Sequence, residues 1–456
     1  MITGAINSLD GRYFEKTRAL APYFSEEALM KYRVLVEIEY FIALSLLTKT
    51  ALRKFTVAEI KTIRSIHENF DGSAYKKIKK IESVTKHDVK AIEYFIKENL
   101  KQTSLKDCIE WVHFATTSED TNNISYALLL SDALSEVIIP EVSKLVSTLD
   151  ALAKKYKNLP MLARTHGQSA SPTTFGKEMK VYTIRIEKIV SYLQKIKIEA
   201  KLNGATGNYN AHFVAYPDIN WPEFSKKLIG NFNAQRSQKL QINNFTTQIE
   251  SHDSYVEIFD AIKHINTILI GFDQDIWRYI SDGWIGQQTR KGEVGSSTMP
   301  HKINPIDFEN SEGNLGLANT LFEFFARKLP ISRLQRDLSD STVERAMGTA
   351  FGHSLLGYMM INQGLSKISV NEQVIKEHLN SHPEIVAEAI QTILRREGVT
   401  MPYEKLKELT RGKKVTLQDI HDFINTLEVS DKIKKELLKI TPENYTGLAS
   451  KLADLK

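Results

Sequence analysis

The chain has a single cysteine, Cys108, among 456 residues. No disulfide can form within it, which fits a reducing, cytoplasmic setting. Charge of one sign is also scarce: 60 Lys and Arg stand against 55 Asp and Glu, leaving +5. So small an excess gives no reason to expect a nucleic-acid partner, and Lys76-Lys77, Lys79-Lys80 and Arg411-Lys413-Lys414 read as solvated faces. No apolar run approaches the ~18 residues that span a bilayer, so no membrane contact is expected. The opening MITGAINSLDGRYF lacks a basic start followed by an apolar core, so no signal peptide is expected. Metal-ligand spacings, GxGxxG and Walker loops are absent as well, and neither a metal nor a cofactor is implied.

What is present is helical periodicity. The length exceeds one ordinary core. The pattern divides it into a mostly helical segment over 1–111, a bundle of long helices over 112–366, and shorter amphipathic helices over 367–456. Ser25 with Glu26 and Glu27 opens a helix running to about Leu47. Phe175, Met179, Tyr182, Ile186, Ile189, Leu193, Ile196 and Ala200 alternate steps of four and three, which predicts one helix closed by Asn203-Gly204. Ile258, Ile262, Ile265, Leu269, Phe272, Ile276 and Tyr279 repeat the pattern. So do Leu134, Ile138, Val142, Leu145, Leu149, Leu152 and Tyr156, with a kink expected at Pro140. Further helices are expected from Pro305 to about Leu329 and from Ser341 to Lys367, and turns at Gly398 and at 412–414. Helices of ~30–40 residues would be ~45–60 Å long. Apolar seams of that length predict burial against helices of other subunits.

Chemistry-bearing strings sit where these helices are expected to start. Residues 292–305, GEVGSSTMPHKINP, carry two glycines and two adjacent serines. Asn304 as N-cap and Pro305 at the first helical position would then place Lys302 and Asn304 where helix N–H groups favour an anion. A flexible loop bringing hydroxyls onto an anion site reads as a catalytic lid. Thr116-Thr117-Ser118-Glu119-Asp120 offers hydroxyls at a second helix start. Arg164-Thr165-His166-Gly167-Gln168 precedes Ser171-Pro172, a predicted third start, and offers a histidine suited to acid–base work at neutral pH. Gln248, in TTQIESHD, is expected in a fourth first turn. In an up-down bundle Ser118 and Gln248 would lie at one end and His166 and Asn304 at the other. They would meet only between antiparallel subunits, as in a dihedral tetramer.

Taken together, the strings resemble the fumarase/aspartase superfamily and, within it, the bacterial type of the adenylosuccinate lyase family. GSSTMPHKINP matches the superfamily's GSSxMPxKxNP. The narrower resemblance rests on DGRYFEKT (10–17), KHDVKAIEY (86–94), TTSEDTNN (116–123), RTHGQSASPTTFGKE (164–178), TTQIESHD (246–253), HKINPIDFENSEGN (301–314) and SRLQRDLSDSTVERA (332–346), and spans nearly the whole chain. Before the loop lysine stands His301, where fumarases carry glycine and argininosuccinate lyases glutamine. Lys86 replaces the asparagine or arginine usual in bacterial relatives.

The resemblance implies a mainly α, three-domain fumarase/aspartase-type fold whose long-helix bundle forms the core of a homotetramer with shared active sites. It implies β-elimination of fumarate from adenylosuccinate to give AMP, and from the succinylaminoimidazole carboxamide ribotide (SAICAR). Carried over, Ser296 is the base and His166 the acid. Thr117, Ser118, Thr165, Gln248, Ser297, Lys302 and Asn304 hold the succinyl carboxylates. Arg12, Tyr13, Arg336, Ser341 and Arg345 hold the phosphate, and Lys86, His87, Asp88 and Asn310 complete the substrate contacts. The competing readings are another fumarate-releasing lyase such as argininosuccinate lyase, a non-catalytic relative of the crystallin kind, and a nucleic-acid binder.

Overall fold

The structure is a computed structural model and describes residues 4–288, 299, 301–402, 404 and 415–455. It is helical throughout, with short two-stranded ladders at Pro160–Thr165/Gln168–Thr174, Ile198–Ala200/Leu240–Ile242 and Ile285–Gln287/Ile368–Val370. Two compact units are formed from interleaved chain segments. One comprises Met1–Ser143, Ile189–Thr267 and Gly313–Met359; the other comprises Lys144–Lys188, Ile268–Glu312 and Met360–Lys456. The divisions fall inside five helices: Ile139–Lys155, Phe175–Leu193, Asp253–Ser281, Ile306–Lys328 and Met347–Leu365. No helix among the described residues is long and apolar enough to cross a membrane.

The Asp253–Ser281 helix follows its periodicity closely. Ile258, Ile262, Ile265, Leu269, Phe272 and Ile276 are all fully buried. At 29 residues it is about 43 Å long, short of the predicted range. The Glu26–Ser45 helix starts as expected, its Ser25 hydroxyl accepting from the Ala28 N–H at 3.1 Å. In the first unit Phe351 gathers Phe24 and Phe322 at ring distances of 5.1 Å each. In the second, Phe272 packs edge-on to Tyr182 and Phe308.

Several expectations are corrected. The helix from Phe175 ends at Leu193, not at Asn203-Gly204. Ile196, Ile198, Ala200 and Leu202 are buried at every second position, and 198–200 pairs in parallel with 240–242. A period of two had been absorbed into a period of 3.6 because positions 196 and 200, four apart, satisfy both. Pro140 brings a widened turn: Leu134–Ile138 is π-helical immediately before it, which relieves the crowding a proline ring imposes on the preceding turn. The expected Ser341–Lys367 helix is two, Ser339–Glu344 and Met347–Leu365. The Ile306–Lys328 helix takes its first bonds on the Pro305 carbonyl, so its cap is Pro305, one residue later than Asn304. The seams expected to face other subunits are filled within the chain. The apolar side chains left exposed form another set, including Val181, Ile184, Leu317 and Phe324. Gly398 turns with φ +76° as expected, and the 412–414 turn lies outside the described residues.

Candidate active site

The predicted site residues divide between the two units. Arg12, Tyr13, Lys86, His87, Asp88, Thr117, Ser118, Gln248, Arg336, Ser341 and Arg345 belong to the first. Thr165, His166, Lys302, Asn304 and Asn310 belong to the second. Ser296 and Ser297 lie outside the described residues.

In the first unit the TTSEDTNN string forms the start of the Ser118–Ala133 helix, and Asp120 accepts from the Thr117 N–H at 2.9 Å. Asp120 also anchors this end from below. It is fully buried with Lys201, whose ammonium lies 2.7 Å away and donates also to the Gly204 carbonyl. Asp120 further accepts from the Asn203 and Gly204 N–H groups. A buried ion pair closed by this many hydrogen bonds fixes the helix start rigidly. Thr117 and Ser118, half-buried, are thereby held in place.

From that helix start a continuous polar network runs through the first unit. The Arg336 guanidinium donates to the Gln248 side-chain oxygen Oε1 at 3.3 Å and pairs with Glu119 at 3.1 Å. Asn122 donates to the same Glu119 oxygen at 3.5 Å and accepts from Arg33 Nε at 2.9 Å. Arg33 pairs with Asp88 at 2.9 Å, and Asp88 takes a second guanidinium, that of Arg345, also at 2.9 Å. Predicted residues from three separate strings thus share one network. Gln248 is not in a helix first turn as expected: the helix starts at Asp253, and Gln248 lies in the preceding loop. There its side-chain amide donates to the Ala205 carbonyl.

Burial alone would raise the Asp88 carboxyl, but Arg33, the Val89 N–H and Arg345 outweigh it and hold the group at about 2. Glu119 is pushed the other way. Burial and then the neighbouring Glu344 carry it up to about 8, against the pull of Arg336. Burial pulls His252 down, but its 3.1 Å contact with Glu344 prevails and raises it to about 9. Arg345 also lines a cavity of about 200 Å³ with Tyr23, Phe24, Tyr126 and Glu344.

The remaining first-unit candidates are less enclosed. Arg12 is exposed, its guanidinium 5.7 Å from the Tyr13 ring. Lys86 is the left-handed C-cap of the Gly72–Thr85 helix at φ +54°. Asparagine or glycine reaches that conformation more easily than lysine. His87 caps the Asp88–Leu100 helix, its Nδ1 accepting from the Lys90 N–H. Ser341 sits in the Ser339–Glu344 helix.

In the second unit His166 is exposed at the tip of an antiparallel hairpin, not ahead of a helix. His166 and Gly167 are the two turn residues, with φ of 54° and 75°. That is the signature of a type I′ turn, whose twist suits a two-residue hairpin. Ser171-Pro172 does not cap a helix: it falls at the register shift of the second strand, where a missing N–H costs no ladder bond. The hairpin is braced by the C-terminal part of the chain. Arg164 reaches the Gly167 carbonyl at 3.3 Å and His378 at 3.1 Å. Ser169 meets His382 at 3.2 Å, and Ser171 donates to Glu388. Thr165 is exposed beside the turn. Lys302 is exposed, its N–H bonded to the Met299 carbonyl, and Asn304 and Asn310 flank the start of the 306–328 helix half-buried.

Sequence reading missed Arg33, Glu119 and Asn122 as site residues, and with them Asp340, Glu344 and His252. A signal existed for the first. Arg33 and Glu37, at i and i+4, fall on the apolar face of the Glu26–Ser45 helix beside Met30, Val34 and Phe41, and both prove buried. Charges in a core-facing stripe announce an internal partner.

The arrangement offers fixed cations and amides for a polyanionic ligand in one unit, and an exposed imidazole with a lysine in the other. Residues 11–318 match the family model described as lyase, and residues 332–446 the one described as adenylosuccinate lyase C-terminal. An adenylosuccinate lyase of Haemophilus influenzae is 48% identical over 452 residues, 99% of this chain and 98% of that protein. Those of Dictyostelium discoideum and Escherichia coli K12 are 49% and 45% identical, covering 97% and 99% of this chain and 96% and 98% of their own. Among solved structures, 3-carboxy-cis,cis-muconate lactonizing enzyme from Pseudomonas putida superposes with a TM-score of 0.73 at 18% identity, covering 98% of this chain and 97% of its own. A fumarate lyase from Mesorhizobium sp. BNC1 gives 0.73 at 16%, covering 96% of each. At such identities these two speak to the fold alone.

Proposed function

The chain belongs to the adenylosuccinate lyase family, and from that premise we propose that its two clusters together bind adenylosuccinate and release fumarate, leaving AMP. It is a carbon–nitrogen lyase of purine nucleotide biosynthesis, and we extend the reaction to SAICAR. The observation that carries the reading is near-full-length identity of 45–49% to adenylosuccinate lyases. The network joining Gln248, Arg336, Asp88 and Arg345 supports it.

β-Elimination removes a proton from a carbon beside a carboxylate. Charge spreads onto that carboxylate, and the C–N bond breaks as the leaving nitrogen is protonated. A base, an acid and fixed donors for the growing charge are required. In our reading Ser296 is the base and His166 the acid. A serine hydroxyl ionises only in a dry, electropositive setting, which Lys302 and the N-terminus of the 306–328 helix would supply. Ser297, Thr117, Ser118, Thr165, Asn304 and Gln248 would hold the succinyl carboxylates. Arg12, Tyr13, Arg336, Ser341 and Arg345 would take the phosphate, where guanidinium geometry suits paired oxygens. Lys86, His87, Asp88 and Asn310 would flank the nucleotide.

The division of these residues between two units fits the proposal that a homotetramer in the cytoplasm completes each site from more than one subunit. The apolar side chains exposed on the long helices, Leu317 and Phe324 among them, offer the contact area. Incubation with adenylosuccinate and with argininosuccinate tests the reaction. Turnover of the first alone is expected; turnover of the second alone would reassign the chain. Ser296→Ala is expected to keep the assembly and lose most turnover, and a near-normal rate would remove Ser296 from the role of base.

A further inference from the structure

Glu119 is 1% exposed and stands at the centre of the first-unit network, yet it is placed to touch no ligand itself. One of its oxygens receives both Arg336, at 3.1 Å, and the Asn122 amide, at 3.5 Å. Its other oxygen is buried without a hydrogen-bond partner, and Arg336 Nε and Asp340 Oδ2 face each other as an ion pair too long for a hydrogen bond. Arg336 is otherwise held by Gln248 at 3.3 Å and, more loosely, by Asp340 at 3.6 Å. The groups facing Glu119 are Glu344, Asp340 and His252 beside Arg336. A buried carboxylate among others is costly unless a cation is fixed to it. The guanidinium is therefore clamped from inside, leaving its outer N–H groups fixed in direction.

We propose that Glu119 is a positioning residue for the nucleotide, aiming Arg336 directly and steadying Arg345 through Asn122, Arg33 and Asp88. The inference rests on the reading that these arginines meet the anionic end of a nucleotide. It adds a residue whose own side chain offers that end no cation. A carboxyl group here raises affinity for an anion because one of its oxygens accepts from Arg336 and from Asn122 and so fixes the guanidinium that the anion uses.

The test is a double-mutant cycle read by AMP binding in calorimetry, with turnover measured in parallel. Glu119→Gln keeps the size of the side chain and replaces one of its two carboxyl oxygens with an amide NH2, which donates and cannot accept from the guanidinium. It is expected to weaken AMP about tenfold and raise KM similarly, with kcat within about threefold of wild type. In an Arg336→Gln background the same change is expected to add less than about twofold, because the residue it acts on directly is gone and only the indirect path to Arg345 remains. A factor that is equal in both backgrounds, or absent in the first, overturns the proposal. Should Glu119→Gln fail to fold by thermal melting, Glu119→Asp, which keeps the carboxyl group on a shorter arm, enters the same cycle with the same criterion. Additive effects in a protein that cleaves adenylosuccinate overturn this inference alone. A wild type that neither cleaves adenylosuccinate nor binds AMP overturns the reaction reading, and this inference with it.

Discussion

Gly207 permits a sharp test of how closely the site depends on its loops. Its φ is +81°, and a Cβ built there would lie 2.2 Å from the Thr246 carbonyl oxygen and 2.9 Å from that of Thr247. Ordinary contact begins near 3.4 Å, so in Gly207→Ala the Thr246 carbonyl must retreat by about 1.2 Å. Left-handed strain adds about 1–2 kcal/mol, and the displaced packing about 1–3 kcal/mol. Gln248 is one residue beyond Thr247 and is tied to Ala205 at 3.0 Å, two residues before Gly207. The substitution therefore shifts both ends of that tie and moves Gln248 against Arg336. A misplacement of about 1 Å costs on the order of a hundredfold in rate. Gly207→Ala is expected to lower kcat/KM for adenylosuccinate by about that factor and to lower the melting temperature by several degrees. An unchanged melting temperature with kcat/KM within about threefold of wild type would refute the argument that this backbone contact sets the position of Gln248.

Asp88→Asn removes the charge that pairs Arg33, whose side chain is 2% exposed. A buried guanidinium left without its carboxylate is expected to cost about 3 kcal/mol, read as a lower denaturant midpoint. Stability should also fall as pH rises from about 7 to about 9.5. His252 is raised to about 9, so the contribution of its charged form is complete below the unfolded value of 6.5 and is lost through about 9. Glu119, raised to about 8, favours its neutral form in the fold, and ionising it removes stability over the range from 4.5 upward. Both act in the same direction, and denaturant midpoints that rise across the interval would contradict the protonation scheme.

The long helices were legible because burial on one face leaves a period of 3.6 that few other structures mimic. Asp253–Ser281 is the clearest instance. The His166–Gly167 turn was not, since Ser171-Pro172 carries a strong helix-start signal and a bulge that tolerates proline leaves none of its own. Gln248 was placed on the wrong element for a related reason. TTQIESHD is polar enough to begin a helix, but His252 adopts φ +61° and the helix waits until Asp253. The strings at 116–120, 164–168 and 292–305, with Gln248, were singled out as expected helix starts, whereas Arg12, Lys86, Asp88, Arg336 and Arg345 were read from resemblance. That Glu119, Asn122 and Arg33 wire them together was hidden, because long-range partners of buried charges leave no periodic trace.

In the proposed assembly, residues of the two units act together in one site supplied by different copies of the chain. His166→Ala disables the second unit and Gln248→Ala the first, and each alone is expected to lose most turnover with its assembly intact. Dissociating and remixing the two in equal amounts should restore about a quarter of wild-type adenylosuccinate cleavage, the share of sites that random assembly makes whole. Mixed tetramers that form and yet remain as inactive as their parents would contradict it.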